Sequence, residues 1–253
     1  MIDAASLRTF GGSARVFFFA AVVLSGLLAS CSSPKSGAAG TGSTGNLIVN
    51  GNAEAAVGSD DGTPVSTPNW VSAGEATAAQ YAVNGWPLPT DSGPADRGLN
   101  LFSGGPADSA SSLTQTVNLT HYAGSIDKNH ATYKLSAWLG GYADQGDNAT
   151  VTVTFQDALG SALGTGSIGP VTASDRSNLT GLLPRSSDGT VPSGTRKVLV
   201  VISMVRTDGT ANDGYADNLS LIFSGIDLNL LGEVVLGKIG EEQPLILGAP
   251  TAP

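Results

Sequence analysis

Between Ala149 and Gln156 every second residue is apolar: Ala149, Val151, Val153 and Phe155 alternate with Thr150, Thr152, Thr154 and Gln156. Successive side chains of a strand point to opposite faces, so a period of two predicts a strand with one face buried. Tyr133, Leu135, Ala137 and Leu139 alternate in the same way with Thr132, Lys134, Ser136 and Trp138, and Leu113, Val117 and Leu119 with Thr114, Thr116 and Asn118. Lys197 to Arg206 departs from this pattern, because Val198 to Ile202 is unbroken apolar and predicts a central strand covered on both faces. A last strand is predicted over Asn218 to Phe223. Turn-forming clusters separate these runs: Asp144 to Asn148, Asp188-Gly189, and Asp208 to Gly214. The chain shows no long run with helical period. Short strands joined by Gly- and Asp-rich turns predict an all-β antiparallel sandwich or barrel.

The first 45 residues follow a different logic. Arg8 and Arg15 precede an apolar run from Val16 to Leu24 that resumes at Leu27-Leu28. A basic flank, an apolar stretch and then small residues make a secretory signal. The run is shorter than the ~20 residues a spanning helix needs. It ends Leu28-Ala29-Ser30-Cys31, which resembles the lipobox of bacterial lipoproteins; Cys31 is the only cysteine in the chain. That resemblance implies cleavage before Cys31, lipid on its thiol, and a membrane partner reached through that lipid, with the protein held at the bacterial cell membrane or outer-membrane surface. Stable anchoring takes more than one lipid chain. Ser32 to Gly45 reads as a flexible Gly/Ser tether. The expected organisation is therefore a signal peptide over 1–30, a tether over 31–45, a β-sandwich over 46–225, and a tail over 226–253 interrupted by Gly232, Gly237 and Gly240.

Composition narrows the partners. With 41% hydrophobic residues the chain has material for a core. A net charge of −9 repels phosphate backbones, which argues against nucleic acid and suits an oxygen-seeking cation such as Ca²⁺. A single cysteine allows neither an intrachain disulfide nor a Cys-based zinc site. Signatures of catalysis are missing from the sequence. There are two histidines, His121 and His130, and neither an HExxH helix nor a GxSxG elbow. Gly232 to Lys238 imitates the start of a phosphate loop, yet Ile239 stands where a Mg²⁺-binding hydroxyl is needed. The adjacent acids Asp60-Asp61 and Glu241-Glu242 read as solvated loop residues rather than a glycosidase pair. No enzyme is expected.

Two separated segments carry a family resemblance. One is Asn46-Leu-Ile-Val-Asn50-Gly51-Asn52-Ala53-Glu54, followed by Pro68-Asn69-Trp70; the other is Gly214-Tyr215-Ala216-Asp217-Asn218-Leu219-Ser220-Leu221. Together they resemble the frame of the galactose-binding-like jelly rolls, a group that includes carbohydrate-binding modules of secreted glycanases and F-box-associated domains. Ala53 stands where the frame has an aromatic residue, and Asn218 where it has a second Asp. The resemblance implies an antiparallel jelly-roll sandwich with its first and last strands adjacent. It also implies a structural Ca²⁺ shared by Glu54 and Asp217, with the Asn52 carbonyl and Asp96 completing the shell; the alternative is that both acids hydrogen-bond to loop backbone. Sugar-binding faces need exposed rings plus polar groups. Trp138, outward by alternation, is the candidate platform, and Trp86, Tyr81 and Tyr142 are candidate rim residues; Trp70 is assigned to the core. The expected function is non-catalytic glycan binding at the cell surface, the alternative a structural or protein-interaction domain of the envelope without a sugar site.

Overall fold

The computed structural model describes residues 40–83 and 85–227. Cys31 and the signal segment, most of the tether, and the tail beyond Asp227 lie outside the described residues, as do the Gly232 to Lys238 segment and Glu241-Glu242.

Two antiparallel sheets face each other. The first contains β3 (Thr77–Gln80), β4 (Asn100–Gly105), β11 (Asn212–Asp227), β6 (Thr132–Gly141) and β9 (Gly181–Thr190) in that order, and β1 (Thr41–Ser43) also pairs with β11. The second runs β2 (Val71–Ala73), β5 (Ala110–Asn118), β10 (Lys197–Val205), β7 (Asn148–Gln156), β8 (Ala162–Ile168). One five-residue helix, Ala123–Asp127, sits between β5 and β6. The described residues form an all-β, antiparallel β-sandwich, one of the two architectures the alternation predicts and, as a jelly roll, the one the family resemblance implies.

Every strand predicted by alternation is present, and the inward residues are those the period selects. Ala149, Val151, Val153 and Phe155 are buried on β7, and Tyr133, Leu135, Ala137 and Leu139 on β6. They meet Trp70, Phe102 and Phe223 between the sheets. Phe155 lies 5.0 Å from the Tyr133 ring and 6.4 Å from Phe223, and Trp70 meets Phe102 edge-on at 5.6 Å. Each such ring contributes about 1.5–3 kcal/mol by leaving water.

Two expectations need correction. Strand β10 is central, between β5 and β7, but is not covered on both faces: Leu199 and Val201 are half-buried on the outer side. Their cross-strand neighbours are Thr116 and Thr154 for Leu199 and Thr114 and Thr152 for Val201. The sandwich also begins earlier than residue 46. Thr41 pairs with Asp227 and Ser43 with Ser224, so the end of the expected tether is an edge strand.

The two ends of the domain are joined along β11. Thr44 N–H donates to Phe223 O and Leu47 N–H to Leu221 O, each at 2.8 Å, and Leu219 N–H returns a bond to Gly51 O at 2.8 Å. Gly51 is required here, since a Cβ would lie 2.3 Å from the Leu219 carbonyl oxygen. Asn46 locks the same seam, donating to Leu219 O and accepting from the N–H groups of Ile48 and Leu221.

Candidate functional site

The outer face of the first sheet positions most of the candidate residues. Trp138 on β6 stands beside Asp217 on β11 and Pro184 on β9. This face is not open. The connection from Tyr81 to Leu99 folds across it, burying Tyr81 and Trp86 (9% and 8% exposed) against Ala79, Leu101, Leu182 and Tyr215, with Trp138 packed partly buried at the margin. The connection is held at both ends and in the middle: Tyr81 N–H donates to Leu99 O, Leu182 N–H to Ser92 O, and the Arg97 guanidinium to the carbonyls of Leu88, Asp91 and Pro94. Arg97 also stacks over the Tyr81 ring at 5.2 Å.

Tyr81 thus acts inward. Its hydroxyl donates to Asp217 Oδ2 at 2.7 Å, and Asn218 N–H donates to Asp217 Oδ1 at 2.6 Å. Asp217 is fully buried, and burial, with the charges of Glu54 and Asp96 adding to it, pushes its carboxyl up to about 7. Burial likewise pushes the Tyr81 hydroxyl far up, with Asp217 reinforcing it. Glu54 Oε1 accepts the N–H groups of Leu99 (2.8 Å) and Asn100 (2.7 Å), and Asp96 Oδ1 accepts Asn218 Nδ2–H at 2.9 Å. Glu54, Asp96 and Asp217 therefore gather at the seam, near enough for their charges to act on one another. Both Asp217 oxygens, Glu54 Oε1 and Asp96 Oδ1 are already accepting protein hydrogen bonds. No cluster of three or more acidic, His or Cys side chains suited to a metal ion occurs among the described residues. As arranged, the donor set does not fit the ion.

Beside the seam is a polar cleft of about 500 Å³ lined by Asn46, Asn50, Asn52, Asp96, Trp138 and Asn218 among others. It brings Trp138 together with two of the expected metal residues, Asn52 and Asp96, and not with the other rings. Most of its amides are committed: Asn50 bonds Pro68 O and the Ala55 N–H, and Asn46 holds the seam.

Trp86 and Tyr142 meet elsewhere, in a groove of about 560 Å³ at one rim of the sandwich. Its walls come from three connections: Trp86 to Ser92 in the covering segment, Tyr142-Ala143 after β6, and Asn178 to Thr180 before β9. Tyr142, Leu88 and Leu179 are 39%, 49% and 66% exposed, so three of the large apolar side chains left in water converge on one groove. Thr90, Asp91, Ser92, Asn178 and Thr180 add polar groups among them. Asp91 Oδ2 is held by the Leu88 N–H at 2.7 Å, and Thr180 Oγ1 accepts the Ala143 N–H at 3.0 Å, tying two walls together. Apolar surface interspersed with fixed hydrogen-bonding groups is the chemistry a pyranose ring requires, with its C–H face against an aromatic or aliphatic wall and hydroxyls at the rim.

A third pocket, about 410 Å³, lies on the other side of Trp86 between Asp61, Pro64, Pro106 and Asp213. Sequence reasoning missed Leu88, Asp91, Asn178, Leu179 and Thr180. No periodic pattern marks residues of irregular segments, and their convergence depends on three connections far apart in the chain.

No family model matches this chain. No curated protein matches it either. Among solved structures, the enzymatically active domain of tailspike protein 4 of bacteriophage CBA120 is similar over 70% of this chain at 17% identity, with a TM-score of 0.41. This chain spans 21% of that protein's length. TmCBM61, solved in complex with β-1,4-galactotriose, is similar over 70% of this chain and 98% of its own, at 17% identity and TM-score 0.40. A family 16 carbohydrate-binding module is similar over 70% of this chain and 99% of its own, at 24% identity and TM-score 0.39. The neighbours include carbohydrate-binding modules.

Proposed function

We propose that this is a non-catalytic glycan-binding protein of the bacterial cell surface, and that the rim groove is its binding site. The observation that carries the reading is the convergence of Tyr142, Leu88 and Leu179, all solvent-exposed, with Asp91, Asn178 and Thr180 in one groove. Exposed apolar side chains cost solubility unless something covers them, and a sugar covers them while satisfying the polar groups between. Tyr142 is the stacking platform in this reading. Trp86, at 8% exposure, contributes an edge and a rigid floor rather than a face.

Export and anchoring through lipid on Cys31 belong to the same proposal and rest on the Leu-Ala-Ser-Cys segment. Calcium at the seam would require its hydrogen bonds to reopen, and titration with Ca²⁺ and chelator is its test.

The second reading, a structural or protein-interaction domain of the envelope, is favoured by the burial of Tyr81 and Trp86. Calorimetric titration of the full chain with β-1,4-galactotriose, xylohexaose and a wider panel of neutral oligosaccharides separates the two. Glycan binding predicts saturable heat with at least one member and at least a tenfold loss of affinity in Tyr142→Ala with the melting temperature retained. Silence across the panel favours the second reading.

A further inference from the structure

Arg176 does not line the rim groove, yet it reaches the two walls that do. It is 5% exposed. Its Nη1 donates to the carbonyls of Ala143 (2.8 Å) and Leu179, and its Nη2 to the carbonyl of Gln145 at 3.1 Å. Ala143 follows Tyr142 directly, and Leu179 stands between Asn178 and Thr180; all of these line the groove. The connections it holds are not in relaxed conformations. Ala143 and Ser177 have φ of +42° and +56°, a region that L-residues other than Asn and Asp avoid, and Asn178, which tolerates it, follows at +59°. Strained backbone of this kind persists only where its surroundings over-determine it.

The cation has a counterpart. Asp147 is fully buried and its carboxylate accepts the N–H groups of Thr207 (2.6 Å), Asp208 (2.9 Å) and Asp213 (2.9 Å), tying down the connection between β10 and β11. Burial pulls the Arg176 guanidinium down from its ordinary value, and the nearby Tyr215 and Asp147 oppose that. One cation therefore gathers three carbonyls and one anion three N–H groups, at the end of the sandwich where the groove opens.

We propose that Arg176 is the positioning residue of the groove, setting the separation between Tyr142 and the Asn178–Thr180 wall. A planar fork with fixed donor directions holds carbonyls from two loops at once, whereas a lysine ammonium, a compact charge on a flexible stem, holds no such geometry. The inference rests on the glycan-binding reading of the groove, but its structural half is tested separately.

The full chain carrying Arg176→Lys or Arg176→Met is compared with the wild type in two measurements. In hydrogen exchange, amides of 142–146 and 177–180 exchange faster in both variants while those of β7 and β10 keep their protection. In titration with whichever of β-1,4-galactotriose or xylohexaose binds the wild type, the dissociation constant rises at least tenfold, and lysine fails to restore it even where it restores the melting temperature. Unchanged exchange in these two loops overturns the proposal, as does wild-type affinity in a folded variant. Should Arg176→Met not fold, the lysine variant decides alone. Should the wild type bind neither sugar, the glycan reading loses its support while loop exchange still decides whether Arg176 holds the walls.

Discussion

Replacing Asp217 with asparagine removes the one ionisable group that the seam buries completely. The carboxyl titrates near 7 in the folded protein instead of 3.8, because burial disfavours its charge and Glu54 and Asp96 add repulsion. A folded-state value above the unfolded one means that the protonated form is the stabilised one. Its contribution is fully present below about pH 3.8 and is lost as pH rises through about 7. The interval is roughly three units, each worth about 1.4 kcal/mol, so ionisation costs the folded state on the order of 4 kcal/mol by pH 8. Asparagine is isosteric, keeps an acceptor for the Asn218 N–H, and offers its amide to the Tyr81 oxygen. Urea unfolding of wild type and Asp217→Asn at pH 4, 5.5, 7 and 8 should give two curves that diverge upward, with the variant gaining several kcal/mol relative to wild type across the series. Taking the difference cancels other groups: Asp213, raised by burial, slopes the same way, while Asp127, lowered chiefly by its hydrogen bond to Arg196, and Asp175, lowered chiefly by the Thr172 N–H and hydroxyl, act at the acid end. Parallel curves, or a variant less stable than wild type at pH 8, would refute the reasoning. The same series with 5 mM (roughly) CaCl₂ or chelator tests the ion: a seam closed by hydrogen bonds gives the same melting temperature in both, whereas bound calcium raises the wild type at pH 8 and leaves Asp217→Asn unmoved.

Further outcomes are expected. Phe155→Ala empties the space between Tyr133 and Phe223 and should cost about 3–5 kcal/mol in urea unfolding, with β-sheet circular dichroism retained at low denaturant. Gly140→Ala puts a Cβ 1.9 Å from the Gly181 carbonyl oxygen, a backbone atom that cannot step aside, and should destabilise by about 3 kcal/mol or more; a melting temperature equal to wild type would show that β6 and β9 are less tightly paired than described. Cys31→Ser should abolish incorporation of labelled palmitate and release the protein from membranes in a bacterial host; equal labelling in both forms would rule out lipid at this residue.

Much of this was legible because a strand's side-chain period is local. Val151, Val153 and Phe155 declare their buried face without reference to any other segment, and so do Leu135 and Leu139. The adjacency of the two ends was legible by resemblance, through the segments beginning at Asn46 and Gly214. The site was harder. Alternation placed Trp138 outward, as observed, but could not show that residues 81–99 fold across that face and turn Trp86 and Tyr81 inward. Nor could it show that Val198 to Ile202, though unbroken apolar, lies in a sheet whose outer face has no covering layer among the described residues.

Composition and periodicity alone settled the all-β class, the inward residues and the poverty of nucleic-acid-binding charge, because each follows from neighbours a few residues apart. Which polar and aromatic groups share a groove was decided only in three dimensions. Tyr142, Asp91 and Asn178 come from irregular connections whose paths depend on long-range bonds such as Leu182 to Ser92 and Arg176 to Ala143. Such bonds exist only after the sheets have brought distant segments together, and no local pattern of residues encodes them.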